Sequence, residues 1–232
     1  MVFSPWHHAV MFGLLAKGIC DHFGEAADGL LLSAVEAYGQ ERGRRMAARC
    51  LRSGDPIDDM ASYFAYCEWS WPGSVKTPPD PGCPYVSYRI LACPWHSAWK
   101  ESGLAEYGYF YCRCVDRAIL RGFNPALRLS LPTCLTRNER QGCAFHWESA
   151  ENTPALFDRQ RRLEKRLGGS QVKDFCYHTA HLYSTILRCA RDLDPAAASA
   201  AEADAADAFA ARYGPEALRL VRQAARQDFT VV

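Results

Sequence analysis

The stretch that decides the fold is Tyr85-Val86-Ser87-Tyr88-Arg89-Ile90-Leu91-Ala92, which runs directly into Cys93-Pro94-Trp95-His96. Residues 86–90 alternate apolar with polar side chains, and this period of two predicts a half-buried β-strand. Two further strands are predicted at 127–131, which alternates in the same way, and at 143–147. The polar segment between these two is expected to join them as a long hairpin.

Helical periodicity dominates the rest of the chain. Two helices are predicted between about residues 10 and 52, with a break at Gly24 or at the Asp28-Gly29 pair. A helix over 107–121 is expected to end at Gly122 as its C-cap. The other predicted helices cover 57–71, a short segment from near Ser97, 155–167, 172–190, 196–212 and 215–226. We therefore predict a helix-rich α+β fold in which helices cover a small antiparallel sheet.

A chain of 232 residues is long enough to bury one substantial core, and we predict a single domain over 1–232. Three successive parts are expected within it. They are a helical N-terminal layer over 1–71, a strand and helix segment over 84–148 that carries the site, and a helical C-terminal part over 154–232. The last two helices are expected to serve in packing or in assembly of a homo-oligomer.

The charge balance narrows the range of partners. Lys and Arg total 27 against 26 Asp and Glu, a formal charge of +1, so neither nucleic acid nor an anionic membrane surface is favoured. No apolar run is long enough to span a membrane, and the N-terminus lacks the positively charged start of a secretory signal. Eleven cysteines without such a signal indicate a reducing compartment. We expect a cytoplasmic protein that acts on a small molecule.

The segment from Leu91 to His146 is the predicted site, because it holds five of the eleven cysteines and two of the seven histidines. The spacing Cys93-x-x-His96 fits two roles. Either the histidine lowers the thiol pKa and shuttles a proton, or both side chains bind a metal. In the predicted helix over 107–121, Cys112 and Asp116 lie one turn apart on the same flank.

The metal alternative needs ligands from several elements. Zinc or another divalent ion would be held by Cys93, His96, Cys112 and Cys143. A second candidate, residues 176–181, is weaker, because its helical projection places His178 past one edge of the buried face and His181 nearly opposite that face. The charged run at 41–45 is interpreted as the solvated side of its helix, although an arginine there can reach an anionic ligand.

A series of short motifs runs in order along the first two thirds of the chain. They are Tyr38-Gly39-Gln40-Glu41-Arg42-Gly43, Cys93-Pro94-Trp95-His96, Trp99-Lys100, Leu104-Ala105-Glu106-Tyr107, Tyr111-Cys112, Asp116, Gly122-Phe123-Asn124-Pro125 and Gly142-Cys143-Ala144-Phe145. Together they resemble the L-2-amino-thiazoline-4-carboxylic acid hydrolase family over roughly residues 35–147. The resemblance implies hydrolysis of a small sulfur- and nitrogen-containing ring, such as 2-amino-thiazoline-4-carboxylate, to an N-carbamoyl-cysteine.

The resemblance also gives the site candidates. The catalytic candidates matched to the family's motifs are Cys93, His96, Cys112, Asp116 and Cys143. Side-chain chemistry makes the Cys93 thiolate the predicted nucleophile, with His96 as its acid–base partner, and Asp116 would orient the histidine or hold the amidinium. The substrate-binding candidates are Arg89 and Lys100, which suit a carboxylate, together with Tyr111 and Asn124.

Two other function classes fit the same residues. One is a different thiol- or metal-dependent enzyme on the same scaffold, such as a lyase or a natural-product tailoring enzyme. The other is a non-enzymatic protein that binds a metal or a thiol ligand.

Overall fold

The computed structural model describes residues 1–70 and 73–230 and confirms the helix-rich α+β fold. The helices are α1 Pro5–Phe23, α2 Ala27–Arg52, α3 Met60–Ala65, α4 Pro94–Glu101, α5 Ala105–Cys112, α6 Val115–Phe123, α7 Pro154–Leu167, α8 Phe175–Leu193, α9 Pro195–Tyr213 and α10 Pro215–Ala224. The strands are β1 Val75–Lys76, β2 Tyr85–Ala92 and β3 Cys143–Glu151. They form an antiparallel sheet in the order β1-β2-β3. Trp71, where the third predicted helix ends, lies outside the described residues.

The chain divides into two compact units, each built from separate stretches of sequence. The first unit comprises Met1–Tyr38, Pro94–Val115 and Asp174–Thr230. The second unit comprises the described residues of Gly39–Cys93 and Asp116–Lys173. The prediction of one domain with three successive parts stays a prediction.

The first unit is a bundle of helices around α1, which packs against α4, α5, α8 and α9. Pro5 occupies the first turn of α1, where its missing N–H leaves no hydrogen bond unmade. The α1 and α9 backbones approach closely, because a Cβ atom at Gly18 would lie 2.8 Å from the carbonyl oxygen of Ala201. The alanine-rich sequence of α9 therefore allows close helix packing within this unit.

The second unit contains the sheet. Tyr88 on β2 pairs with Phe145 on β3, and their rings stack with centroids 5.5 Å apart. Trp147 lies on the same face of the sheet, since side chains two residues apart share a face. Its ring contacts Phe64 of α3 at a centroid distance of 5.1 Å. These aromatic rings account for the packing of α3 against β3.

Several predictions of local structure were wrong. Residues 127–131 form no strand, and only Ser130 makes an isolated bridge, to His146. The predicted helix over 107–121 is broken between Cys112 and Val115, so the argument that Cys112 and Asp116 are neighbours on one helix fails. The break coincides with Arg113, which donates a hydrogen bond to the Asp28 carboxylate at 2.8 Å.

Burial of the charged run was also predicted wrongly. Glu41, Arg42 and Arg45 are buried and not solvated. The projection of α8 was wrong as well, because both His178 and His181 are fully buried. In the described residues, no helix is both long enough and apolar enough to cross a membrane.

Candidate active site

A cavity of about 260 Å³ lies within the second unit, between the aromatic face of the sheet and the surrounding helices. Its walls combine aromatic rings with charged and polar side chains. The lining residues are Arg42, Tyr63, Phe64, Cys67, Trp69, Lys76, Tyr88, Asp116, Ile119, Trp147, Gln160 and Glu164. A concave site with apolar walls and a few polar groups is the usual form of a small-molecule site.

Asp116, in the first turn of α6, contributes a carboxyl group to this cavity. Loss of hydration raises the pKa of its carboxyl group from 3.8 to about 6, against the opposing effects of Arg42 and Arg117. The residue as a whole keeps some exposed surface, whereas its carboxyl group is buried, and burial disfavours the charged form. A carboxyl group with a pKa near neutral can both accept and return a proton.

Arg42 brings a positive charge to the cavity although the residue is fully buried. Its guanidinium carbon lies 3.5 Å from the centroid of the Trp69 ring, and its Nε lies 3.6 Å from the Glu68 carboxylate. Glu68 also accepts hydrogen bonds from Nε and Nη2 of Arg45 at 3.3 and 3.1 Å. The ion-pair network therefore holds Arg42 in a defined position at low hydration.

Two glycines explain how α2 reaches α6 closely enough to place Arg42 near Asp116. A Cβ atom at Gly43 would lie 2.1 Å from the carbonyl oxygen of Ile119, and one at Gly122 would lie 2.3 Å from that of Gln40. The two helices thus touch along their backbones. Gly122, expected to be a C-cap, lies inside α6 and serves this close approach.

One thiol and two phenol groups of the cavity keep their protons at neutral pH. Burial raises the pKa of the Cys67 thiol, and Arg42 only partly opposes this effect. Burial also raises the pKa of Tyr88 to about 12 and that of Tyr63 well above its usual range. The cavity accordingly presents a thiol and two phenol hydroxyls beside the Asp116 carboxylate.

Three of the five predicted catalytic residues, Cys93, Asp116 and Cys143, belong to the second unit. Cys93 and Asp116 are minor causes of a raised pKa of the Cys143 thiol. Burial is the main cause that raises the pKa of Cys143 to about 12, and its sulfur accepts a hydrogen bond from the Leu135 backbone N–H at 3.2 Å. Of these three residues, Asp116 lines the cavity. The un-ionised Cys143 thiol is a weak nucleophile.

The remaining two catalytic candidates belong to the first unit. His96 lies half-buried in α4, and Cys112 lies half-buried at the end of α5. The predicted pairing of Cys93 with His96 stays a prediction, as do the catalytic roles of all five residues.

The predicted substrate-binding residues occupy varied environments. Arg89 is exposed and donates to the Gln141 carbonyl at 2.7 Å, and Lys100 is exposed near the end of α4. Tyr111 is buried among aromatic rings of the first unit, with its ring 5.0 Å from that of Phe12. Asn124 donates to the Ile57 carbonyl at 3.1 Å and accepts from the Ala126 N–H. The bonds of Asn124 are those of a residue that fixes a turn.

The alternative that the site binds a metal ion is not supported by the described residues. Among residues 1–70 and 73–230, no group of three or more His, Cys, Asp or Glu side chains is arranged to hold a metal ion. None of the eleven cysteines, all of which lie within the described residues, forms a disulfide bond.

Comparison with known proteins rests on a family match. Residues 5–147 match the family described as L-2-amino-thiazoline-4-carboxylic acid hydrolase, which is more than half of the chain. The chain belongs to the L-2-amino-thiazoline-4-carboxylic acid hydrolase family. No curated protein and no solved structure matches it.

The match to this hydrolase family includes most of the cavity. Arg42, Cys67, Asp116 and Trp147 lie within the matched residues, whereas Gln160 and Glu164 of α7 lie beyond them. The family resemblance predicted from the motifs is therefore confirmed, and it extends to the N-terminal side of the predicted range.

Asp116 is the one lining residue of the cavity that sequence reasoning named as a site candidate, and Arg42, Cys67 and Trp147 are among those it missed. Arg42 was hidden in a run of charges that reads as solvent-facing, and the signal that could have revealed it is Gly43, since a helical glycine often marks a close helix contact. Trp147 was assigned only to a strand face. Nothing in the sequence around Cys67 distinguishes it from the other cysteines.

Proposed function

We propose that this chain is a hydrolase that opens a small zwitterionic ring containing sulfur and nitrogen, such as 2-amino-thiazoline-4-carboxylate, in the cavity of the second unit. Membership of the family supports the hydrolytic reaction class. The observation that carries the choice of site is Asp116, whose carboxyl group has a pKa of about 6 at the cavity wall. An acid–base group in ring hydrolysis needs a pKa close to the operating pH.

The cavity suits such a substrate in charge and in size. Arg42 and Lys76 supply positive charge, while Asp116 and Glu164 supply negative charge. A carboxylate and an amidinium on one small ring would therefore each meet an opposite charge. The cavity volume of about 260 Å³ is below the range usual for drug-sized ligands, which favours a molecule with a single ring.

The proposed chemistry uses Asp116 twice. Water attacks the ring carbon that lies between nitrogen and sulfur, and the Asp116 carboxylate accepts one proton from that water. The carbon–sulfur bond then breaks as the new C=O forms, and Asp116 returns its proton to the departing sulfur. When the substrate starts as an amidinium, the second water proton is released to solvent. The product is an N-carbamoyl thiol, so one water is consumed and one C–S bond is broken.

The thiol route predicted from the sequence differs in one observable intermediate. If the Cys93 thiolate attacks first, a covalent adduct forms at its sulfur and water resolves that adduct afterwards. Intact-protein mass spectrometry during turnover distinguishes the routes. The water route proposed here leaves the protein mass unchanged, and Cys93→Ser retains turnover. If the wild type forms an adduct that Cys93→Ser does not form, the group that acts in the first step is Cys93 and not Asp116.

The test of the function is direct assay of the purified chain with L-2-amino-thiazoline-4-carboxylate. The released thiol is measured with a thiol reagent, and the N-carbamoyl product is identified by mass spectrometry. We expect turnover whose kcat/KM falls as the pH drops below about 6, because protonated Asp116 cannot act as the base. Asp116→Asn should lower kcat by about 100-fold or more.

The matched control is Asp192→Asn, the same change at an exposed position of α8 in the first unit. It should leave kcat unchanged. The proposal is overturned if the wild-type chain forms no product, or if Asp116→Asn turns over as fast as the control.

A further inference from the structure

One buried hydrogen-bond donor in the second unit is not used by the fold. Trp147 is 5% exposed, and its indole Nε1 has no hydrogen-bond partner within the described part of the chain. Leaving such a donor unsatisfied costs roughly 1–3 kcal/mol, and nearly all buried polar groups in folded proteins avoid this cost. The nitrogen belongs to a residue of the cavity wall, where a ligand can supply the missing acceptor.

A second donor lies beside it. The Tyr88 hydroxyl is close enough to the Trp147 indole for the N–H to lower the pKa of Tyr88, but the N–H makes no hydrogen bond of normal geometry. The larger effect of burial raises the pKa of Tyr88 to about 12, so the hydroxyl keeps its proton at neutral pH. An indole N–H and a phenol O–H therefore lie side by side on one sheet face.

Positive charge is available at the same place. The Lys76 ammonium lies 5.3 Å from the centroid of the Tyr88 ring, and Lys76 also lines the cavity. Two neutral donors next to a cation form a site for an anionic acceptor. The carboxylate of Asp116 lines the same cavity. In a zwitterionic ligand, the cationic part would therefore lie against Asp116.

We propose that the Trp147 N–H and the Tyr88 O–H, assisted by Lys76, bind the carboxylate of the ring substrate and make that carboxylate a requirement for tight binding. This inference deepens the proposed function and rests on it for the identity of the substrate. It assigns Trp147 and Tyr88 to specificity, whereas the acid–base step belongs to Asp116.

The first measurement is the indole N–H region of an NMR spectrum of the ¹⁵N-labelled chain. The sequence contains six tryptophans, and the Trp147 signal is identified as the one missing from Trp147→Phe. The probe is L-thiazolidine-4-carboxylate, which has the ring and the carboxylate but no amidine carbon to hydrolyse. We expect it to move the Trp147 signal. The carboxylate-free ring 2-amino-2-thiazoline should leave that signal in place.

The spectrum contains its own controls. The Trp95 N–H donates to His8 at 2.9 Å, and the Trp99 N–H donates to the Ala9 carbonyl at 2.6 Å. Both donors are already satisfied within the first unit, so neither signal should respond to the carboxylate. No movement of the Trp147 signal, or equal movement with both rings, overturns the inference.

The second measurement uses turnover. Trp147→Phe should raise KM for L-2-amino-thiazoline-4-carboxylate about tenfold or more while kcat changes little, since a hydrogen bond to a charged group is lost in both ground and transition states. Tyr88→Phe keeps the ring and should act in the same direction. A chain that binds the carboxylate probe through Trp147 without turning over the substrate would reject the proposed reaction and keep this inference. If the wild-type chain turns over the substrate and both variants keep its KM, the proposed reaction stands and this inference is rejected.

Discussion

The His8 cluster of the first unit and the cavity of the second unit differ in how their buried polar side chains are satisfied. In the first unit, the Trp95 N–H donates to His8 Nδ1, which leaves the proton of that ring on Nε2, 3.0 Å from the Tyr38 hydroxyl oxygen. Each of these donors is satisfied within the unit. In the second unit, the Trp147 N–H has no such partner, and the pKa of Asp116 is raised because its charge is poorly hydrated.

This difference distinguishes buried polar side chains that stabilise the fold from buried polar side chains that can bind a ligand. Polar groups that are satisfied internally stabilise one packing arrangement, as at His8. Polar groups that remain unsatisfied, or charged at a cost, reduce stability and persist where a ligand compensates for them. In the cavity of the second unit, Trp147 and Asp116 are two such groups, and each reduces stability. Each of the following predictions changes one residue in each unit to test that contrast.

The largest effect on stability is expected at Glu68, which is fully buried with Arg42 and Arg45. Glu68→Gln keeps the shape of the side chain but removes the negative charge. The buried guanidinium groups then lack compensation, and the free energy of unfolding should fall by about 3–5 kcal/mol. Chemical denaturation measures this change.

Glu216→Gln in the first unit is the control for Glu68. Glu216 forms an exposed ion pair with Arg219, and solvent screens that pair, so its loss should barely change the free energy of unfolding. Equal stability of the two variants would mean that the arginine network of the second unit contributes no more than a surface pair.

A smaller effect is expected from two glycines of the same helix, α2. Gly43→Ala places a methyl group 2.1 Å from the Ile119 carbonyl oxygen, so α2 and α6 must move apart. Such overpacking should cost about 1–3 kcal/mol. Gly29→Ala puts the same methyl group into open space and should stabilise the chain by about 0.5–1 kcal/mol.

Chemical denaturation measures both changes in the free energy of unfolding, and these are expected to have opposite signs. Gly43→Ala should also raise KM, because the shift of α2 displaces Arg42 from the cavity. A Gly43 variant as stable as the Gly29 variant would contradict the close approach of α2 and α6.

The sequence predicted the fold class and most helices because these depend on local patterns. Alternation located β2, and Gly24 located the break between α1 and α2. The failures have a common cause, which is tertiary contact. Residues 127–131 alternate like a strand, but only Ser130 pairs with the sheet, and the pattern does not reveal whether a partner strand is available.

The candidate site was less predictable for the same reason. Asp116 was selected through the motif resemblance, and its helical spacing from Cys112 gave the wrong reason, since the helix breaks between them. Arg42 was read as solvated because charge runs usually are. Its burial depends on Glu68, which is distant in sequence and reaches it only through folding. No local pattern encodes an ion pair of that kind.

A further change in stability is expected at Asp116, and its sign is the most informative. The folded pKa of about 6 lies above the ordinary value of 3.8, so between those pH values the folded state binds a proton that the unfolded state has lost. Stability therefore declines as the pH rises through this window, and the full cost, about 3 kcal/mol at most, is present above it. Asp116→Asn removes that cost and should raise the free energy of unfolding at pH 7 by about 1–3 kcal/mol.

The advantage of Asp116→Asn should disappear near pH 4, where the wild-type carboxyl group is protonated in the folded state. Asp192→Asn, the same substitution at an exposed position of the first unit, is the matched control. Denaturation of all three proteins between pH 4 and pH 7 measures the difference. If Asp116→Asn is less stable than wild type at pH 7, then Asp116 supports the fold as His8 does, and the contrast between the units fails at its central residue.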